Sequence, residues 1–277
     1  MGTADLHIHT TASDGLLTPC QVVEKASELG LEAIAITDHD SVAGIDEAIE
    51  CGTKYGVEVV PAVELSAEFG TRELHMLGYF IDWTGSKINK HLKRMRESRI
   101  DRARKMVEKL RTLGVNIKLE RVLEMAGDGS VGRPHVARAI CEAGAAADIV
   151  EAFSKYLNRG APAYVERFKV SPIETVTLIV ECGGTACLAH PGGTGKDEII
   201  PTLVKAGLRA IEVYHPDHSP SVSEKYLSIS RRFGLIATGG SDSHGTGLNG
   251  SMPIGSFTIN SDCVEKLRSA STLPFRK

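Results

Sequence analysis

A chain of 277 residues, 42% hydrophobic and 24% charged, has the composition of an ordinary globular protein large enough to bury a sizeable core. Its 32 basic residues are offset by 35 acidic ones, which excludes a globally basic nucleic-acid binder and leaves any basic patch local. Few aromatics, 5%, argue against a base-stacking platform, and no run approaches the roughly 18 apolar residues of a membrane span.

No charged leader followed by an apolar stretch opens the chain, so a cytoplasmic enzyme without membrane association is expected. The cysteines, Cys20, Cys51, Cys141, Cys182, Cys187 and Cys263, form no CxxC pair. They are read as reduced, mostly buried small hydrophobes.

The first predicted strand, 4–9, opens "ADLHIHTTASDG". His7 and His9 stand two apart, so on a strand their imidazoles share a face at its C-terminal end, a chelating arrangement that Asp14 follows. A helix follows in "TPCQVVEKASELG", with Thr18 as N-cap and Pro19 in its first turn. Strands at 33–37 and 57–64 deliver His39 in "ITDHD" and Glu64 in "VELS". "FGTR" reads as a hairpin turn into a strand at 73–80 that contains His75.

From 83 to 167 strand signals stop and helical patterns follow one another. The first of them places Leu92, Met95, Arg99, Met106, Leu110 and Leu113 at helical spacing. It carries eleven Lys or Arg between Lys87 and Arg111 against three acids, a solvated face or a steering surface for phosphate; His91 is read as solvated. Further on, "GRPHVARAI" sets Arg133 and His135 around Pro134 at a helix start, where free N–H groups favour phosphate.

Strands at 185–189, 210–214 and 235–239 then supply His190 in "CLAHPGG", His215 and His218 in "IEVYHPDH", and Asp242 and His244 in "ATGGSDSH". Parallel α/β sheets and barrels build sites where the C-terminal ends of their strands meet. His7, His9, Asp14, His39, Glu64, His75, His190, Asp242 and His244 should therefore converge. One catalytic zinc needs three or four ligands and two metals about six or seven, so nine groups suggest three ions. An imidazole and carboxylate set without thiolate suits Mn²⁺, Fe²⁺ or Zn²⁺, with Mn²⁺ taken as the first candidate. Asp38, Asp40 and Glu68 are assigned to capping and surface roles, and His218 to structure.

These motifs, in this order, resemble those of the PHP (polymerase and histidinol phosphatase) superfamily of metal-dependent phosphoesterases. The resemblance implies a distorted (β/α)₇ TIM-like barrel, residues 1–82 and 168–277, with a helical insertion, 83–167. It implies a trinuclear site: His7, His9, Glu64 and Asp242 on one ion; Glu64, His75 and His190 on a second; Asp14, His39 and His244 on a third. A water bridging two ions would supply the hydroxide nucleophile while the ions clamp the phosphoryl oxygens. The insertion with "GRPHVARAI" is similar to that of nucleoside 3',5'-bisphosphate phosphatases and 5'-to-3' exoribonucleases, which implies that Arg133 and His135 grip a second phosphate.

His215 is the candidate to protonate the leaving oxygen or to contact phosphate. The expected substrate is a phosphorylated small molecule or short oligonucleotide, with no obligate protein partner. The alternatives are a histidinol-phosphatase-like monoesterase and a non-catalytic PHP module. The basic insertion speaks against the first, and the complete ligand set and the lack of a polymerase in the chain against the second.

Overall fold

Alternation fails at an informative place in the first strand, β1 (Thr3–Ile8), where the ladder to its neighbour slips between Asp5 and Ile8. Ala4 and Leu6 join one buried cluster, with Ala33, Ala35, Val60 and Leu77; Ile8 joins another, with Ile34, Ile36 and helix residues Val22, Val23 and Ala26. Bulges of this kind re-aim side chains beside functional sites. Here the slip surrounds His7.

The computed structural model describes residues 2–70, 72–127, 130–166, 168–245 and 252–272. They form two compact units, residues 1–89 with 169–277, and residues 90–168. The expected boundary residue 167 and the turn residue Thr71 lie outside the described residues.

In the first unit, β1, β2 (Ala33–Ile36), β3 (Glu58–Phe69), β4 (Arg72–Tyr79), β5 (Thr185–Leu188), β6 (Ala210–Tyr214), β7 (Ile236–Gly239) and β8 (Ile259–Asn260) form one sheet in the order β7-β6-β5-β4-β3-β2-β1-β8. The pairs β1–β2, β2–β3, β5–β6 and β6–β7 are parallel, and β4 is antiparallel to both neighbours. A bridge between Ile8 and Ser243, beyond the end of β7, brings the sheet almost to closure as a barrel. All seven predicted strands and the hairpin are present. The two-residue β8, too short to carry a pattern, was not expected.

Helices α1 (Pro19–Glu28) and α2 (Ile45–Tyr55) cover one side of this barrel. The Thr18 hydroxyl accepts from Gln21 N at 3.3 Å while Gln21 Oε1 accepts from Thr18 N at 2.9 Å, a reciprocal cap. One correction concerns cysteine: Cys20 on α1 and Cys51 on α2 are joined by a disulfide, with a Cα separation of 5.5 Å. Their spacing of 31 residues carries no signature; the barrel brings the two helices side by side. A cross-link over that span contributes roughly 3–4 kcal/mol relative to the reduced chain in the chain-entropy account. Cys182, Cys187 and Cys263 are free and buried, and Cys141 is free and half-buried.

The second unit is helical. α3 (Ser86–Thr112) carries the chain into it, followed by α4 (Leu119–Ala126), α5 (Arg133–Glu142), α6 (Ile149–Ala152) and a π-helical turn, Phe153–Leu157. Ala103, Met106, Val107 and Leu110 of α3 pack with Val122, Val136, Ile140 and Leu157. Leu113, read as part of the apolar face, is 44% exposed because α3 ends before it. His91 is half-buried rather than solvated.

Much of the basic charge of α3 is locally committed: Lys105 pairs with Asp101 at 2.6 Å, Arg102 Nε donates to Val165 O at 2.8 Å and Lys109 Nζ to Tyr164 O at 2.6 Å. The remaining helices, α7 (Pro172–Glu181), α8 (Ile200–Ala206), α9 (Pro220–Phe233) and α10 (Asp262–Ala270), belong to the barrel unit. No helix among the described residues is long and apolar enough to cross a membrane.

Candidate metal centre

Parallel strands deposit side chains at one end of the barrel. His9 lies one residue past β1, His39 three past β2, His190 two past β5, His215 one past β6 and Asp242 three past β7. Because β4 runs the other way, its contribution to the same end comes from near its start: His75 sits opposite Ser66 of β3, two residues beyond Glu64.

Glu64, 1% exposed, stands at the centre. Its Oε2 lies 3.4 Å from His7 Nε2, 3.3 Å from His9 Nε2 and 3.0 Å from His39 Nδ1. Its Oε1 lies 2.8 Å from His75 Nδ1 and 3.2 Å from His190 Nε2. Asp242 Oδ1 is 3.4 Å from His7 Nε2 and 3.0 Å from His9 Nε2, and its Oδ2 is 3.3 Å from His215 Nε2. Asp14 Oδ1 completes the arc, 3.5 Å from His244 Nε2 and 3.9 Å from His9 Nδ1. All nine predicted ligands are brought together.

Their donor atoms fall into overlapping groups, each within 4.8 Å: His9, Asp14, His39 and His244; His7, His9 and Glu64; His39, Glu64 and His75; His7, His190 and Asp242. The grouping differs in detail from the expected one, since His39 also stands with Glu64 and His75, and His190 also with His7 and Asp242. His7 Nε2, both His9 nitrogens, His39 Nδ1, His75 Nδ1 and Glu64 Oε2 are buried and lack a hydrogen bond of good geometry. Buried polar atoms are ordinarily satisfied. So many unsatisfied atoms facing one another, all imidazole nitrogen or carboxylate oxygen, fit divalent cations.

An outer layer orients these groups. Glu212 faces His7 Nδ1, and Glu73 Oε1 lies 2.9 Å from His75 Nε2, leaving the other nitrogen of each ring turned to the centre. His244 Nδ1 donates to Asp242 O at 2.9 Å, which frees its Nε2 for Asp14. Asp38 is buried, a correction to its surface assignment: it accepts from Thr10 N and Thr10 Oγ1, both at 2.7 Å, and from Ser13 Oγ at 2.6 Å, fixing the loop that carries Asp14. Asp40 is also buried and accepts from Ser66 N at 3.3 Å, whereas Glu68 pairs with Lys169 at 3.1 Å. Asp5 accepts from Ser241 N at 2.9 Å and Gly255 N at 2.8 Å; burial raises it to about 6 against those hydrogen bonds.

His190 and Asp242 hold left-handed backbone, φ 25° and 49°, which costs a non-glycine residue of order 1–3 kcal/mol. Close approach adds a further constraint: a Cβ at Gly240 would lie 2.4 Å from the backbone nitrogen and Cβ of His7. Glycine is therefore required where the chain beyond β7 passes β1.

Burial opposes a charged imidazole at His9, but Asp242 and Glu64 outweigh it and raise its pKa to about 10. His75 rises likewise to about 10, against burial, through Glu64 and Glu73. Glu64 is held well below the usual carboxylate range, against burial, by His39 and His75 among its neighbours. His9 and His75 are thus held toward their protonated forms in the metal-free chain, and ligation must displace those protons. Metal uptake is expected to tighten as pH rises from about 6 to about 9, with proton release measurable by titration calorimetry in buffers of different ionisation enthalpy. Affinity that is flat over that range would contradict the assignment.

His215, 2% exposed, receives the Asp217 N–H at Nδ1 over 3.1 Å and turns Nε2 to Asp242. His218 has both nitrogens engaged, with Val213 O at 2.9 Å and Gly192 N at 3.1 Å, as a structural histidine should. In the helical unit, His135 Nδ1 accepts from Gly132 N at 3.0 Å, and the half-buried Arg133 guanidinium stacks 5.5 Å from the Phe153 ring centroid. Sequence reasoning missed Glu212, although an acid inside the apolar run of β6 was the available signal.

The PHP domain model matches residues 5–115. A 3',5'-nucleoside bisphosphate phosphatase of Chromobacterium violaceum is 34% identical over 90% of each chain. A 5'-3' exoribonuclease of Salmonella typhimurium is 35% identical over 87% of this chain and 84% of its own. A phosphoribosyl 1,2-cyclic phosphate 1,2-diphosphodiesterase of Eggerthella lenta is 33% identical over 87% and 94%. Among solved structures, one assigned as a metal-dependent phosphoesterase from Bifidobacterium adolescentis superposes with a TM-score of 0.87 at 31% identity, covering 97% of this chain and 96% of its own.

Proposed function

The chain belongs to the PHP domain family of metal-dependent phosphoesterases, and on that footing we propose that it removes the 3'-phosphate from nucleoside 3',5'-bisphosphates, with 5'-to-3' action on short 5'-phosphorylated oligonucleotides as a second activity of the same centre. One observation carries the choice of substrate. Arg133, at the start of α5, makes no ion pair among the described residues, so its guanidinium donors are uncommitted. An arginine with five fixed donors and no carboxylate is suited to phosphate.

His7, His9, Asp14, His39, Glu64, His75, His190, Asp242 and His244 would hold up to three divalent ions. The donor set suits Mn²⁺, Fe²⁺ or Zn²⁺, and Mn²⁺ is taken as the first candidate. Bound ions supply Lewis acidity and neutralise charge on the phosphoryl oxygens. Glu64 and Asp242 hold the imidazoles in register, and the barrel end keeps the donors preorganised. His215 accepts the Asp217 N–H at Nδ1 and so presents an Nε2–H, a hydrogen-bond donor for the leaving oxygen or a phosphoryl oxygen. Arg133 and His135 bind the phosphate that is not transferred.

The test is hydrolysis by Mn²⁺-supplemented protein, read as phosphate release from adenosine 3',5'-bisphosphate, 3'-AMP, 5'-AMP and histidinol phosphate and as ring opening of a 1,2-cyclic phosphoribosyl ester. The bisphosphate is expected to exceed the monoesters by at least about tenfold in kcat/KM, the value of one charged hydrogen bond. A lead for histidinol phosphate or the cyclic ester would replace this substrate assignment. Silence on all five with metal bound would point to a non-catalytic module.

A further inference from the structure

Glu212 lies on β6, is fully buried, and divides its two oxygens between ligand-bearing segments far apart in sequence. Oε1 is 3.1 Å from His7 Nδ1, and Oε2 accepts the backbone N–H of His190 at 2.8 Å. The ladder between β6 and β7 is irregular between Glu212 and Tyr214, so Glu212, like His7, sits at a break in regular pairing.

A carboxylate offers only lone pairs, so the hydrogen shared with His7 belongs to Nδ1, and in the neutral ring that ligation requires the lone pair is left at Nε2. That is the nitrogen facing Glu64 Oε2 and Asp242 Oδ1, each at 3.4 Å. The second contact secures the His190 peptide where its φ is 25°. His7 stands in one candidate ion group with His9 and Glu64, and in another with His190 and Asp242. Glu212 thus touches both groups from behind.

We propose that Glu212 is a positioning residue that sets the tautomer of His7 and the peptide of His190 together, so that a single carboxylate outside the nine-residue donor set makes two neighbouring ion sites competent as a pair. The inference rests on the reading of the centre as a metal site. Donor atoms of Glu212, His7 and His215 lie close enough to hold an ion themselves. Both Glu212 oxygens are already committed, however, so it acts through its partners.

Glutamine is the informative replacement. Its oxygen can accept from His190 only if its amide donates to His7 Nδ1, which forces the His7 proton onto Nε2; the opposite orientation sets two donors against each other at His190. Glu212→Asp is shorter but remains acceptor-only. The probe is Zn²⁺ on the full chain, followed by metal analysis, calorimetry and long-range ¹H–¹⁵N spectra of ¹⁵N-histidine-labelled protein.

Wild type is expected to show His7 protonated at Nδ1 with Zn²⁺ at Nε2. Glu212→Gln is expected to weaken Zn²⁺ binding roughly 10–100-fold at more than one ion, with Glu212→Asp retaining more affinity than Gln. A space-filling role gives the reverse order of the variants. The inference is overturned by a His7 proton on Nε2 in the Zn²⁺-loaded wild type, by wild-type affinity and stoichiometry in the Gln variant, or by Gln outperforming Asp. If neither variant folds, the wild-type spectrum decides. Wild-type protein that takes up no Zn²⁺ would bring down the metal-site reading as well, whereas normal uptake by the Gln variant would sink this inference alone.

Discussion

Glu64→Gln is expected to abolish stable metal retention and to lower phosphoesterase turnover by roughly 10³-fold or more. The estimate follows from position. Five imidazoles lie within 3.4 Å of the two Glu64 oxygens. No other side chain among the described residues makes so many of these contacts. Glutamine preserves the volume but removes the negative charge and presents an N–H₂ donor where a lone pair is needed. Lewis-acid stabilisation is worth several kcal/mol, and each 1.4 kcal/mol is a decade in rate. The check is kcat together with metal content. A Gln variant with full metal and activity within tenfold of wild type would remove Glu64 from the centre of the mechanism.

The second large effect is one of selectivity. Arg133→Ala is expected to lower kcat/KM for a nucleoside 3',5'-bisphosphate by about 10–100-fold, the value of one or two charged hydrogen bonds, while simple monoesters are hydrolysed as before. Arg133→Lys should recover little of the loss, because an ammonium cannot reproduce the planar fork. Paired kinetics on the two substrate types give the answer. Equal losses on both would mean that Arg133 supports the helical unit, through its contact with Phe153, rather than the substrate.

Seven strands were legible because each apolar run is short, bounded by polar residues and separated from the next by a helical period or, between β3 and β4, by a hairpin turn. The candidate centre was legible for a related reason. His39, His190 and Asp242 follow the ends of strands, and such residues converge in any parallel barrel.

What escaped was everything that depends on tertiary proximity without a local pattern. The Cys20–Cys51 bond depends on α1 lying beside α2, and the burial of Asp38 on the loop of Thr10 and Ser13 folding over it. Glu212 was visible as an acid in an apolar strand, but its meaning required His7 and His190 on either side. The break in β1 pairing could not be seen at all, since a bulge is defined by the partner strand.

The left-handed backbones of His190 and Asp242 set two kinds of selection against each other. Glycine at either position would relax the chain and remove a proposed ligand in the same step. A library screened for thermal tolerance alone would therefore enrich variants in which the scaffold improves as the chemistry disappears. On the proposed metal centre, any stabilised form of this enzyme has to find its gains elsewhere, in surface helices and loops remote from the barrel mouth, and keep these two residues as a standing cost of catalysis.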